Sequence, residues 1–164
     1  MMRTQFQVST ACELFPCLLV LPVVVCCGVF ARGQDRLSPS SHDSHNLSSQ
    51  WQAADTVIKV LLPDRIKPRH KYRTLYVLPV ESGETTRWGD SIAEILKHNL
   101  HNSCQLICVF PTFADLPWYA DHPTDVHLRQ ETYLMRDVVP LIEAEYLVRT
   151  DASDRLLVGF SKSG

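Results

Sequence analysis

The chain has 164 residues, of which 45% are hydrophobic and 21% charged. Length and composition suit one globular domain, and a formal net charge of -2 excludes the basic excess that phosphate binding requires, and with it a nucleic-acid partner. No block of like charges marks an interaction tail.

Residues 1–33 read as a targeting segment. Arg3 gives a positive start, Leu14 to Ala31 is almost wholly apolar, and Ala31-Arg32-Gly33 sets small residues before a cleavage point at Gln34. This is the pattern of a secretory signal peptide, which implies a secreted or periplasmic protein. The alternative is an uncleaved anchor, which would be the chain's one membrane contact. The apolar run sits near the lower limit of about 17 residues for spanning, and Pro16 and Pro22 interrupt it. Cys26 is a poor lipid-attachment site because Val25 precedes it. Residues 34–53 are rich in Ser, His and Asp without a hydrophobic period, and read as a disordered linker. His42, Asp43 and His45 are metal-ligand types, but in a linker nothing fixes them in space, so no metal and no cofactor is expected.

From residue 54 the pattern changes. Thr56 to Leu62 is β-branched and apolar, a strand that Pro63 ends; Thr74 to Leu78 is a second, stopped by Pro79. The charged stretch between them reads as a turn joining neighbouring strands. Trp88, Ile92, Ile95, Leu96 and Leu100 recur at helical spacing, with Asp90 suited to the helix start. Leu106 to Phe110 is a continuous apolar strand, buried on both faces as in a parallel sheet. An aromatic loop, Pro111 to Pro123, follows. His127 to Val148 reads as a second helix, which Pro140 should kink. Arg155 to Gly159 is the fourth strand. Strands alternating with helices predict a mostly parallel α/β sheet covered on both faces. Ligands then bind beyond the carboxyl ends of the strands, which are here Pro79-Val80-Glu81, the aromatic loop and Phe160-Ser161-Lys162.

Cys104 and Cys108 are the cysteines outside the targeting segment. Four positions apart in a strand, their Cα atoms would lie about 13 Å apart, beyond the roughly 7 Å that a disulfide tolerates. They read as buried thiols.

The fourth strand runs straight into Gly159-Phe160-Ser161-Lys162-Ser163-Gly164. A serine hydroxyl is a weak nucleophile and must be presented to a base. A sharp strand-to-helix turn lifts it above the sheet and aims nearby backbone N–H groups at an oxyanion, provided the flanking residues are small. Gly159 and Ser163 meet that need, Ser163 standing where glycine is usual. The plain alternative is a strand-to-loop turn with Ser161 as a helix cap.

Together these segments resemble the esterase D-like family of α/β-hydrolases, the group that includes esterase D, feruloyl esterases and the mycolyltransferases. The resemblance runs from about Thr56 to Gly164. It rests on Tyr72-Arg73-Thr74-Leu75-Tyr76-Val77-Leu78, Pro117-Trp118-Tyr119-Ala120-Asp121, Arg129-Gln130-Glu131-Thr132-Tyr133-Leu134, Val139-Pro140-Leu141-Ile142-Glu143 and the Ser161 turn. It implies an α/β-hydrolase domain over residues 54–164, ending at the nucleophile elbow. It also implies Ser161 as nucleophile, with the backbone N–H groups of Lys162 and of Glu81, or Val80, as oxyanion donors. Where the family has His-Gly after the second strand, this chain has Pro79-Val80. A carboxylate at Glu81 is unhelpful there unless it turns away or pairs with Arg87 or Lys162.

The resemblance implies a serine carboxylic ester hydrolase acting on small-molecule or carbohydrate esters, with Trp118 and Tyr119 binding substrate. In this fold the Asp or Glu and the His follow the serine, so these 164 residues are expected to be an inactive fragment. His122 and His127 precede the serine and read as surface or cap residues. A second reading is a non-catalytic secreted protein whose aromatic residues Trp88, Phe113, Trp118 and Tyr119 bind a sugar or peptide; packing of those residues is the bland alternative.

Overall fold

The computed structural model describes residues 42–116 and 118–163. The expected signal peptide and the first part of the expected linker lie outside the described residues.

Five strands form one sheet: β1 (Asp43–Leu47), β2 (Thr56–Leu61), β3 (Arg73–Val77), β4 (Leu106–Pro111) and β5 (Arg155–Val158). Their spatial order is β1-β2-β4-β3-β5. β3, β4 and β5 are mutually parallel, whereas β2 runs antiparallel to β4 and β1 antiparallel to β2. The sheet is therefore mixed. The strands expected to be neighbours, β2 and β3, are separated by β4. The reason is hydrophobic: all six residues of β4 are buried, so it takes a central position and the half-exposed strands flank it.

The linker expected over residues 34–53 gives way to strand β1. It pairs from Asp43↔Val60 to Leu47↔Thr56 and alternates half-buried with exposed residues. Tyr146 accounts for its polar inner face. His45 Nε2 lies 2.6 Å from the Tyr146 hydroxyl, which also donates to Asp43 at 3.1 Å. His45 and Asp43 are thus structural partners of a tyrosine, and among the described residues no group of three or more His, Cys, Asp or Glu is placed to hold a metal.

The first expected helix is shorter than its pattern. Helix α1 (Ser91–Lys97) starts on Asp90, whose carboxylate accepts the N–H groups of Ile92 and Ala93 at 2.9 and 3.1 Å. Asn99 at φ +51 breaks it from α2 (Leu100–Ser103), and Trp88 lies ahead of it in the loop. The second expected helix is α3 (Gln130–Tyr133), a π-wound turn (Leu134–Val138) and α4 (Val139–Glu145). Pro140 offers no N–H to the Arg136 carbonyl, and the widened turn lies beside that missing bond.

A helix layer lies on each sheet face, but the expected cover is incomplete at β5, where Leu157 and Val158 stay exposed. Ile58, Val60, Tyr76, Ile107 and Val109 pack with Tyr133, Val138 and Ile142 of the α3–α4 layer. On the other face Leu61, Leu106, Cys108 and Phe110 pack with Ile95 of α1. Burying each large aliphatic side chain contributes roughly 1.5–3 kcal/mol. Cys104 is exposed in the turn after α2 rather than buried in a strand, whereas Cys108 is buried in β4; both are free thiols. Among the described residues no helix is long and apolar enough to cross a membrane.

Candidate functional site

The carboxyl ends of β3 and β5 lie side by side. The Val77↔Val158 pair is extended by the Leu78 N–H, which donates to the Val158 carbonyl at 2.9 Å. Beyond it the two chains part around a crevice of about 210 Å³, lined by Leu78, Pro79, Val80, Glu81, Trp88 and Phe160 among others. The crevice occupies the position where ligands bind in parallel sheets.

After β5 the chain turns sharply. Gly159 and Phe160 lead to Ser161, which stands at φ +59, in the left-handed region that a residue with a Cβ seldom adopts. Ser161 is exposed and opens a single 3₁₀ turn, Ser161–Ser163. Ser163 staples that turn: its hydroxyl accepts the Phe160 N–H and donates to the Phe160 carbonyl, both at 2.9 Å. The cap in this turn is therefore Ser163, not Ser161. Among the described residues no hydrogen bond reaches the Ser161 hydroxyl, and the backbone N–H groups of Val80, Glu81 and Lys162 have no protein acceptor.

Glu81 turns toward the loop that follows it. Its Oε1 accepts the Trp88 indole N–H at 2.9 Å and lies 3.5 Å from Arg87 Nη1. The Arg87 guanidinium sits 5.1 Å from the Trp88 ring centre. The carboxylate is thus occupied by a cation and an indole, the condition under which Glu81 is compatible with an anionic intermediate.

The aromatic loop reaches the same end of the sheet. Lys162 Nζ lies 5.4 Å from the Trp118 ring centre, so the loop meets the Ser161 turn. The aromatic residues divide. Trp118 is 66% and Trp88 60% exposed, whereas Phe113 is fully buried in the core. Tyr119, expected to bind substrate, is half-buried. Its ring packs edge-on against Phe113, and its hydroxyl donates to the Pro79 carbonyl at 2.5 Å. Burial raises the Tyr119 pKa above that of an ordinary phenol. Tyr119 therefore braces the crevice instead of presenting a free face.

Neither upstream histidine attends Ser161. His122 Nδ1 accepts the backbone N–H of Asp125 at 3.0 Å and closes a turn. His127 is exposed, with its own N–H on the Asp125 carboxylate. Sequence reasoning missed Gln130, which is 3% exposed. Its side chain binds the backbone of the aromatic loop at Leu116, Trp118 and Tyr119. A glutamine at a helix start gives no sign of that burial. Asp121 is held at the same helix start: its carboxylate accepts the Thr132 hydroxyl and backbone N–H, and these bonds lower its pKa.

No protein-family model matches the chain, and no curated protein does. Solved structures do. A ferulic acid esterase superimposes with a TM-score of 0.55 at 23% identity, over 75% of this chain and 50% of that one. A ferulic acid esterase from Anaeromyces mucronatus, in complex with ferulic acid, gives 0.54 at 19%, over 75% and 49%. An S-formylglutathione hydrolase from Agrobacterium tumefaciens gives 0.54 at 16%, over 76% and 53%. The fold is that of an α/β-hydrolase, in part, and the chain spans about half the length of the solved structures it matches.

Proposed function

We propose that the protein is a serine hydrolase of the carboxylic ester type, with Ser161 as its nucleophile. One observation carries the reading: an exposed serine held at φ +59 directly after a parallel strand of an α/β-hydrolase sheet. The backbone there projects a hydroxyl over the strand ends. Attack of Ser161 Oγ on an ester carbonyl would form a tetrahedral oxyanion, held by the free N–H of Lys162 and by that of Glu81 or Val80. The proposed substrate class is a small-molecule or carbohydrate ester, a reading supported by the ferulic acid esterases among the neighbours, one of them in complex with ferulic acid. The apolar leader pattern of residues 1–33 suits export to the periplasm or outside the cell.

The serine also needs a base. In this fold the acid and the histidine follow the nucleophile in the chain, and His122 and His127 are engaged elsewhere. Because His122 and His127 do not attend Ser161, the 164 residues are expected to react sluggishly. They should be labelled stoichiometrically by a fluorophosphonate, since oxyanion binding retains a residual rate without the full triad, but should not turn over p-nitrophenyl acetate. Mass spectrometry should place the label on Ser161, and Ser161→Ala should abolish it. Labelling that survives Ser161→Ala would refute the assignment.

The exposure of Trp118 favours a second reading. Trp118 borders a cavity of about 370 Å³ with Leu116, Ala120, His122, Pro123 and Leu128, a shape that suits a sugar or peptide. Saturable glycan binding by a chain that never accepts the fluorophosphonate would favour it over ester hydrolysis.

A further inference from the structure

The Val80 and Glu81 N–H groups, either of which is expected to meet an oxyanion opposite that of Lys162, lie on a loop without regular structure, and such a loop positions nothing unless something fixes it. The described residues contain the fixing device. Gln130, at the start of α3, turns its buried amide under the aromatic loop. Its Oε1 accepts the N–H of Trp118 at 2.6 Å and of Tyr119 at 3.3 Å, and its Nε2 donates to the Leu116 carbonyl at 3.0 Å. A buried amide satisfied by three backbone groups is costly to displace, because each would be left unpaired. Tyr119 is thereby held at φ +56, with its ring against buried Phe113 and its hydroxyl on the Pro79 carbonyl.

That last bond reaches the crevice. The Pro79–Val80 peptide is trans and planar, so its C=O and N–H point in opposite directions. Fixing the Pro79 carbonyl fixes the direction of the Val80 N–H. Pro79 has no N–H of its own. The Val80 N–H has no protein acceptor among the described residues, and Val80 lines the crevice beside Gly159 and Phe160.

We infer that Gln130 and Tyr119 are positioning residues acting in series on the oxyanion loop. Gln130 sets Tyr119, Tyr119 sets the Pro79 carbonyl, and the plane of the peptide sets the Val80 N–H as the donor opposite that of Lys162. The inference rests on the reading of Ser161 as nucleophile, and it selects Val80 rather than Glu81 as the loop's donor. Neither positioning residue lines the crevice itself.

The test uses the 164-residue chain with Tyr119→Phe, Gln130→Leu and the pair combined, read in two ways. In Tyr119→Phe the backbone order parameter of Val80 should fall from a rigid value of about 0.85 toward about 0.6, with the amides of β3 and β4 unchanged. The saturating rate of Ser161 phosphonylation should fall about tenfold, because oxyanion donors act only when aimed. The probe concentration giving half that rate should stay within about twofold. Gln130→Leu should match these changes, and the double variant should be no slower than the slower single, since both act on one link. If Gln130→Leu fails to fold, Tyr119→Phe, which removes one hydroxyl, carries the test alone. A Val80 order parameter unmoved by Tyr119→Phe overturns the clamp. A loosened Val80 with undiminished labelling overturns its role in the reaction, and multiplied losses in the double variant overturn the serial arrangement. A wild-type chain that the probe never labels overturns the nucleophile reading and any role of the clamp in it; that case is told apart by a Val80 that still loosens in Tyr119→Phe.

Discussion

The Trp88 indole N–H donates to Oε1 of Glu81 at 2.9 Å, and with Arg87 it draws that carboxylate away from the peptide on which Glu81 itself sits. Trp88→Phe should free the carboxylate to swing toward the oxyanion loop. A negative charge near a developing one costs on the order of 1 kcal/mol through partly solvated surroundings. Phosphonylation of Ser161 should therefore slow by about fivefold. Adding Glu81→Gln to Trp88→Phe should restore the rate, because the charge is gone. A slow double variant would show that the indole acts by packing and not by holding the carboxylate.

Ser161 holds a conformation that glycine adopts without strain. Ser161→Gly should raise stability by about 0.5–1 kcal/mol, the part of the left-handed penalty not offset by glycine's greater entropy in the unfolded chain. Ser161→Ala should leave stability nearly unchanged, and neither variant should accept the fluorophosphonate. Urea titrations of the three chains measure the differences. Equal stabilities would remove strain from the description of this turn.

Arg155 donates from Nε at 3.0 Å and from Nη2 at 2.5 Å to one oxygen, Oε1 of Glu143, and so ties β5 to α4. Both side chains are less than a quarter exposed. Removing one partner should cost more than at an open surface and less than in a dry core, about 1–2 kcal/mol for Glu143→Ala. The loss should show in the urea midpoint with an unchanged slope.

Cys108 lies at the centre of the sheet, where burial, with a smaller contribution from Cys104, pushes its thiol pKa up to about 12. At pH 8 it carries almost no thiolate and is shielded as well, so iodoacetamide should modify exposed Cys104 and spare Cys108 until the chain unfolds. Peptide mapping after brief alkylation, with and without urea, measures this. Early modification of Cys108 would mean that α1 lifts from the sheet readily.

Four strands were legible from their apolar, β-branched runs, which burial demands of β2 and β4 above all, and the sharp turn at Ser161 from the small residues that flank it. β1 was not. An edge strand with one wet face can be built from Asp43, His45 and Leu47 when a tyrosine 101 residues beyond His45 supplies the missing contacts, and no local pattern announces that. The order of the strands was likewise hidden, since β-propensity says what fits a sheet and not which partner it takes. The direction of the Glu81 side chain was readable only as a condition, that it pair with Arg87 or Lys162, and the structure supplies Arg87 together with Trp88. Gln130 was invisible because a polar residue at a helix start ordinarily faces water.

The insertion of β4 between β2 and β3 shapes how the chain acquires its structure. Although β1 and β2 pair directly, β2 and β3 cannot zip into a hairpin; each waits for a segment produced later, which must enter between them. Pairings between segments so far apart in the chain are slow to form, and until β4 arrives the inner edges of β2 and β3 stand open to other molecules. The efficiency with which a newly made chain escapes aggregation is therefore governed by the speed at which Leu106–Pro111 finds its slot.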